Sequence, residues 1–213
     1  MKIIEVYKRF TIPPNLQAHM IRVFGIICFI EKHWSGPWVD WQLTKKMALL
    51  HDMGNIIKFD MNNNPEFMGS EKVNINYWKQ VQKDFINKYG NDDEEATRQI
   101  LREIGIDEQI INTIFSKSFG NSVAVSSSYN WSLKLLYYAD LRTLPLKIGT
   151  LEERLIDVKN RMPKYTARSD FEQLVQACKH IGFQIQKYLN IPDIAINDKS
   201  ASINRQLAED FPI

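Results

Sequence analysis

The chain has 213 residues and a formal net charge of +2, from 27 Lys and Arg against 25 Asp and Glu. Its length fits one domain, which can bury roughly two thirds of its unfolded surface without a disulfide or a structural metal. The small net charge, without a dense run of Lys and Arg, argues against extended nucleic-acid binding and against an anionic membrane surface. A small phosphorylated ligand, which needs only a few well-placed cations, remains compatible with this composition.

The two cysteines and the apolar runs indicate a soluble, unprocessed, cytoplasmic protein. Cys28 lies inside the apolar stretch of residues 23–30, and Cys178 is isolated far from it in the sequence. Disulfides persist mainly in oxidising compartments, so we expect two reduced thiols. The apolar stretch is too short to span a membrane, so we expect no membrane partner. Nothing in the sequence predicts an oligomeric state.

Helical periodicity begins after Pro13 and Pro14, which suit a helix start. Apolar residues then recur three or four positions apart from Leu16 to Ile30, until the sequence HWSGPW ends the pattern. This predicts a first helix with one apolar face. His19 lies on that face.

A second helix should begin near Asp40, which can cap it, and should carry apolar residues toward the core before it reaches His51 and Asp52. Gly54, just after the pair, permits a change of backbone direction or the close approach of another group. Residues 59–70 are polar and contain Pro and Gly, which predicts a loop of about a dozen residues. Such a loop beside a site is typical of a lid or a substrate wall.

Three helical segments follow within residues 71–118, and a Ser-rich stretch at residues 118–130 interrupts the pattern. Residues 131–145 resume it, with Asp140 on an apolar face and Pro145 marking the end. Residues 150–162 and 169–189 predict two more helices, the latter capped by Ser169 or Asp170. With neither a strand series nor an internal repeat, we expect one all-α helical-bundle domain over residues 1–190. A tail at residues 191–213 carries a possible short helix at residues 202–210.

His19, His51, Asp52 and Asp140 all lie on predicted core-facing positions. A buried carboxylate without a partner is costly, so two buried Asp residues imply a compensating charge, and one divalent cation would compensate both. Each residue taken singly has a structural alternative. His19 can be a hydrogen-bonded core residue, Asp52 can belong to a turn with Gly54, and Asp140 can pair with Arg142.

Taken together, their order is more specific: a His on the first helix, an adjacent His-Asp pair 32 residues after His19, and an Asp on a later helix. Over about residues 13–145, this set resembles the HD-domain superfamily of metal-dependent phosphohydrolases. The resemblance implies an all-helical bundle of HD type in which His19, His51, Asp52 and Asp140 ligate one metal ion. Two nitrogen and two oxygen ligands suit Mn²⁺, Fe²⁺, Co²⁺, Ni²⁺ or Zn²⁺ more than an ion that prefers oxygen alone.

The resemblance also implies a function, the hydrolysis of a nucleotide or another small phosphate ester through a metal-activated water. Asp52 would orient that water, and Arg22, one helical turn after His19, would reach the phosphate. Glu71, or less favourably Glu66, would act as the general acid or base. The alternative for Glu71 is a first-turn glutamate that complements a helix dipole.

Three further cations, Arg142, Lys147 and Lys117, are weaker candidates for the phosphate than Arg22, and for each a solvated surface charge is the simpler explanation. The Trp residues of HWSGPWVDW favour a small packed core over stacking on a nucleobase.

Departures from the family pattern narrow the expectation. Some branches carry Lys where this chain has Asn55, which disfavours a Lys-assisted mechanism of the kind expected of cyclic-dinucleotide-cleaving members. His33 and His180 are poorly placed for a second site, so we expect one metal ion. Two alternatives remain open. One is a catalytically silent HD-like module that binds metal or ligand for regulation, and the other is a metal-free helical interaction protein.

Overall fold

The structure is a computed structural model that describes residues 1–145, 147–201 and 205–213. It confirms an all-α, single-domain fold, with twelve α-helices and no β-strand in this described part of the chain. The helices are α1 (Ile3–Arg9), α2 (Pro14–His33), α3 (Trp41–Leu50), α4 (Ile75–Tyr89), α5 (Asp93–Glu103), α6 (Glu108–Phe115), α7 (Ser122–Ser127), α8 (Trp131–Leu141), α9 (Leu151–Arg161), α10 (Pro163–Thr166), α11 (Phe171–Gln186) and α12 (Arg205–Glu209). Short 3₁₀ segments cover Asn55–Lys58, Pro65–Asn74, Phe119–Asn121 and Asp193–Ala195.

The first two predicted helices are present, as α2 and α3. Pro14 opens α2, and the Asp40 carboxylate accepts a hydrogen bond of 2.9 Å from the Leu43 amide at the start of α3. The sequence interpretation missed α1, which precedes them. Its residue Tyr7 is fully buried and donates through its hydroxyl to the Leu49 carbonyl at 2.7 Å, so α1 is tied to the last turn of α3.

The centre of the fold is the contact of α2, α3 and α8, each of which packs against the other two. Nearly every side chain of α8 is buried, from Ser132 to Leu141, so this helix is surrounded by protein. Apolar burial of this extent is the main favourable term in folding. Because the three helices meet, residues far apart in sequence come together at their contact.

Two segments predicted as irregular contain helical structure. A 3₁₀ segment that begins inside the predicted loop spans Pro65–Asn74 and is broken at Gly69, whose φ of +59° suits glycine. The Ser-rich stretch holds α7, which packs against α11. Side-chain hydroxyls compete with the backbone for hydrogen bonds and so mask a helix in sequence patterns. Here the Ser122 hydroxyl is buried and donates to the Phe119 carbonyl at 2.5 Å.

At the start of α11, Asp170 occupies the predicted cap position, but its side chain makes no capping hydrogen bond. Instead, both of its oxygens accept from Arg168, at 2.8 and 2.7 Å. The helix therefore begins where the predicted cap at Ser169 or Asp170 placed it, but Asp170 binds Arg168 and makes no capping hydrogen bond. By contrast, Thr150 and Glu153 form a reciprocal capping box at the start of α9.

Described residues of the tail at 191–201 and 205–213 pack against the helical body. Arg142, 1% exposed, donates to the carbonyls of Gly149 at 2.5 Å and Ile196 at 2.7 Å and to the Asp193 carboxylate at 2.6 Å. Within the predicted helix at residues 202–210, positions 202–204 lie outside the described residues, and α12 covers Arg205–Glu209. Among the described helices, none is long and apolar enough to cross a membrane.

The Trp residues near the end of α2 pack as an aromatic cluster. Trp34 lies edge-on to Trp41 with ring centroids 6.2 Å apart, and it also contacts Trp131 and Tyr188, each with centroids 5.5 Å away. Trp34 and Trp41 are therefore packed together, as expected. Trp38, in contrast, is 84% exposed.

Candidate metal centre

Three helices position the four expected ligand residues. His19 lies in the second turn of α2, Asp140 in the last turn of α8, and His51 directly follows α3, with Asp52 next to it. Their helices form the central contact of the fold. Chain segments from three regions of the sequence therefore converge at one point.

The side-chain atoms that face one another are close. His19 Nε2 lies 3.3 Å from His51 Nε2, 3.2 Å from Asp140 Oδ1 and 3.4 Å from Asp52 Oδ2. His51 Nε2 lies 3.5 Å from Asp140 Oδ1 and 3.6 Å from Asp52 Oδ2. His19, His51 and Asp140 form a group whose ligand atoms all lie within 4.8 Å of one another, as a bound metal ion requires. Asp52 is not part of that group, so its role as a fourth ligand stays a prediction.

The chemistry of this donor set fits a divalent ion. Ligand atoms about 2.1 Å from one ion lie about 3.4 Å apart at tetrahedral angles, close to the 3.2–3.6 Å that separates the histidine Nε2 atoms from each other and from one oxygen of each carboxylate. His51 Nδ1 lies 2.8 Å from the Ala48 carbonyl, an acceptor, so Nδ1 carries the proton and donates it. The lone pair of His51 is then on Nε2, which faces the cluster. Such a bond to the remote nitrogen is the usual support of a metal-binding histidine.

Lys117 compensates the negative charge of Asp52 and Asp140 through the carboxylate oxygens that point away from the histidines. Its ammonium donates to Asp140 Oδ2 at 2.8 Å and lies 3.7 Å from Asp52 Oδ1. The oxygens nearest the histidines are Asp140 Oδ1 and Asp52 Oδ2. Each carboxylate thus has one oxygen toward Lys117 and one toward the histidines, where a metal ion would bind.

The electrostatics keep both carboxylates ionised. Burial alone would raise the pKa of Asp52, but His51, Lys117 and Lys58 lower it to about 2. Burial is likewise outweighed at Asp140, where Lys117 and the two neighbouring histidines hold the pKa of the carboxyl well below its ordinary value. The pKa of Lys117 is lowered by burial and raised by Asp140 and Asp52, with the result near 12. At neutral pH, the cluster therefore contains two carboxylates and one ammonium.

Gly54 allows α5 to approach the His-Asp segment. Its amide donates to the Thr97 hydroxyl at 2.8 Å, and a Cβ at this position would lie 2.6 Å from the Asp93 carbonyl oxygen and 2.7 Å from the Thr97 amide nitrogen. Both contacts are with backbone atoms that cannot move independently. The sequence left two roles open for Gly54, a change of backbone direction or the close approach of another group. The structure favours the close approach.

The cluster opens into a cavity of about 600 Å³. Its wall combines apolar residues with charged ones, as ligand pockets of this size do. Residues of the segment at 59–68, which the sequence predicted as a lid or substrate wall, line it, as does the buried Asn55. The cationic lining residues are Lys58, Lys117, Arg154, Arg161 and Lys164.

The structure does not bring Arg22 or Glu71 to the cluster, and neither lines the cavity. Arg22 is half-buried and donates to the Pro145 carbonyl at 3.2 Å. Glu71 accepts hydrogen bonds from the indole of Trp78 at 2.9 Å and from Asn74 at 3.2 Å, and these bonds lower its pKa. An ionised carboxylate held in this way has no proton to donate. The structure thus offers no support for the catalytic roles expected of the two residues.

Of the weaker cation candidates, the structure brings only Lys117 to the cluster. Arg142 donates hydrogen bonds to Asp193 and Ile196 of the tail, and Lys147 pairs with Glu153 at 2.6 Å. Sequence reasoning missed Lys58 and the cavity-lining cations of α9 and α10. One signal was available: Arg154 and Arg161 are seven residues apart, two helical turns, and so share one face of α9.

No family model matches the chain, and neither a curated protein nor a solved structure is significantly similar to it. The case for a function therefore depends on the geometry and chemistry of the site itself.

Proposed function

We propose that the chain is a metal-dependent phosphohydrolase of HD type that acts on a nucleotide or another small phosphate ester. The observation that carries this proposal is the convergence of His19, His51, Asp52 and Asp140 beside a cavity of about 600 Å³. The two histidine Nε2 atoms lie 3.3 Å from each other and 3.2–3.6 Å from one oxygen of each carboxylate. Two imidazoles and two carboxylates are ligand types shared by Mn²⁺, Fe²⁺, Co²⁺, Ni²⁺ and Zn²⁺.

In the proposed reaction, water attacks phosphorus, the ester P–O bond breaks, and phosphate and an alcohol are released. His19, His51, Asp52 and Asp140 would hold a divalent ion, which would supply a water activated for attack and polarise a phosphoryl oxygen. The remaining steps fall to the chain. Asp52, whose pKa is about 2, stays ionised at neutral pH and can orient water by accepting its hydrogen bond. Lys117 keeps a fixed positive charge beside the negative charge that develops on the phosphoryl group.

Two other functions have support from specific observations. A catalytically silent binding module is favoured by the position of Glu71, which is bonded to Trp78 instead of reaching the cluster. A metal-free interaction protein is favoured by Lys117, because its ammonium already compensates part of the carboxylate charge. The three functions differ in metal content and in turnover, and both can be measured.

The test is elemental analysis followed by phosphate release from a panel of nucleotides and simple phosphate esters, with protein supplemented with each of the five metals. We expect one metal ion per chain and phosphate release from at least one member of the panel. His51→Ala and Asp52→Ala should each lower activity at least about 100-fold. His180→Gln serves as the matched control, because His180 is exposed and outside the cavity.

The outcomes separate the three functions. A fully metallated protein that is inert across the panel would support the silent module. A protein that takes up no metal after supplementation would support the interaction protein and contradict both metal-dependent functions.

A further inference from the structure

One wall of the cavity carries an excess of positive charge that the metal centre does not use. Arg154 and Arg161 of α9 and Lys164 of α10 all line the cavity. Asp157 is the carboxylate that pairs with the two arginines, through Arg154 Nη1 at 2.8 Å and through Arg161. Lys164 contacts the Tyr165 ring, with its ammonium 5.0 Å from the ring centroid. The two arginines therefore share one carboxylate, and Lys164 adds a third cation, which leaves this wall with surplus positive charge.

Arg154 and Lys117 line the same cavity as the carboxylate cluster. Lys117 itself donates to Asp140. The cavity therefore has one cation at the carboxylate cluster and another on α9.

Arg154 also has hydrogen-bonding capacity that the protein does not use. Its side chain is 16% exposed, and Asp157 accepts from its Nη1. Its Nε is buried and has no hydrogen-bond partner in the described part of the chain. A buried donor without a partner is unfavourable, and an oxygen of an anionic ligand bound by this guanidinium would reduce that cost.

Arg161 and Lys164 extend the charged wall away from Arg154. Arg161 lies two helical turns after Arg154, a rise of roughly 10 Å along α9, and its guanidinium stands 5.6 Å from the centre of the Phe67 ring. Phe67 belongs to the 3₁₀ segment Pro65–Asn74. Arg154 and Arg161 therefore line the α9 side of the cavity, and Arg161 lies where α9 contacts that 3₁₀ segment.

The acidic residues of the lining outside the cluster belong to other elements. Asp93 and Glu94 open α5, and Asp60 precedes the 3₁₀ segment at Pro65–Asn74. Lys58 pairs with Asp93 at 2.9 Å, so this cation is neutralised locally. A ligand with several negative charges is attracted toward the cations of α9 and α10 and repelled by Glu94 and Asp60.

We propose that Arg154, Arg161 and Lys164 form a second anion subsite beside the metal centre, and that the substrate of this chain carries two or more phosphate groups. One phosphate would lie at the centre formed by His19, His51, Asp52 and Asp140, and the next at Arg154. For turnover, this inference rests on the proposed phosphohydrolase function, but the subsite can be tested by binding alone.

The experiment is calorimetric titration of the protein, with and without Mn²⁺, using two probes. Methylenediphosphonate carries two phosphonate groups and resists hydrolysis, and orthophosphate carries one group. We expect the wild-type protein to bind methylenediphosphonate at least about tenfold more tightly than orthophosphate. Arg154→Gln should bring the two affinities close together. Arg168→Gln, which removes the same charge from a residue outside the cavity, should leave the ratio unchanged.

Because Arg154 is largely buried, its substitution also tests folding, so Arg161→Gln and Lys164→Met, at exposed positions, provide a second test of the subsite. Each should lower the ratio at least about threefold without changing the melting temperature. Steady-state hydrolysis of a nucleoside monophosphate and diphosphate with the same base adds a kinetic arm. There we expect Arg154→Gln to raise KM for the diphosphate selectively.

Equal affinity for both probes in the wild-type protein, or an equal loss for both in Arg154→Gln, would overturn the subsite even if monophosphates are hydrolysed. If no ester is hydrolysed but the binding ratio and its loss in Arg154→Gln are observed, the subsite is supported and the hydrolase function fails. The two proposals can therefore fail separately.

Discussion

Lys117 donates a hydrogen bond of 2.8 Å to Asp140 Oδ2, which leaves Asp140 Oδ1 facing the two histidines. The same ammonium stands 3.7 Å from Asp52 Oδ1. A single lysine thus compensates both carboxylates without occupying the oxygens that face His19 and His51. This arrangement lets the cluster fold without a metal ion and still offer ligands to one.

Replacing Lys117 with Met should destabilise the metal-free protein, because two buried carboxylates would lose their cation. Loss of one partner from a buried ion pair costs about 3 kcal/mol, which corresponds to a decrease of about 6–12 °C in Tm for a chain of this size. Mn²⁺ should then raise Tm more in the variant than in the wild type. The control is Lys147→Met, whose ion pair with Glu153 is exposed and should change Tm little. Equal decreases in both variants would contradict the role given to Lys117.

Removal of a bound metal should lower the stability of the wild-type protein. With free metal at about 100 times its Kd, binding stabilises the folded state by about 2.7 kcal/mol, or about 5–11 °C in Tm. Thermal unfolding with Mn²⁺ and with a chelator measures this difference. His51→Ala should show no difference, while His180→Gln should behave like the wild type. The absence of a shift with any divalent ion would count against the metal centre.

The stability of the metal-free protein should also depend on Asp52 in acid. Its pKa is about 2 in the folded protein against an ordinary value of 3.8. Because the folded pKa is the lower one, the stabilisation is fully present above about pH 4 and is lost as the pH falls toward 2. The Tm of the wild type should exceed that of Asp52→Asn at pH 5, measured in chelator, and the difference should shrink toward pH 2. A difference that stays constant over this range would contradict the ionised state assigned to Asp52.

Gly54→Ala should destabilise the fold and disturb the site next to it. The new Cβ would meet the backbone of α5 at 2.6 and 2.7 Å, so α5 or the His-Asp segment must move. We expect the free energy of unfolding to fall by at least about 1–3 kcal/mol in chemical denaturation, with weaker metal binding. Gly120→Ala is the control, since its nearest neighbour is the flexible end of Arg168 at 3.4 Å. If both substitutions proved equally mild, α5 would not need its close approach to Gly54.

Local sequence signals predicted much of the fold. Asp40 caps α3 as expected, and Gly90 and Gly105 follow α4 and α5 with positive φ. Such signals depend on contacts within about one helical turn, so the interacting residues are all close together in the sequence. The signals were weakest where side-chain hydroxyls compete with the backbone, which is why α7 was missed.

The sequence by itself predicted that His19, His51, Asp52 and Asp140 face the core, either within a helix or at the end of one. Only the tertiary structure decided that these residues meet, and that Lys117, and not Arg22, lies beside them. It also decided that Glu71 bonds to Trp78 and that Arg154 faces the cavity. The physical reason is the range of the interactions involved. Helix periodicity shows which face a side chain lies on, whereas its neighbours across the core depend on how distant helices pack.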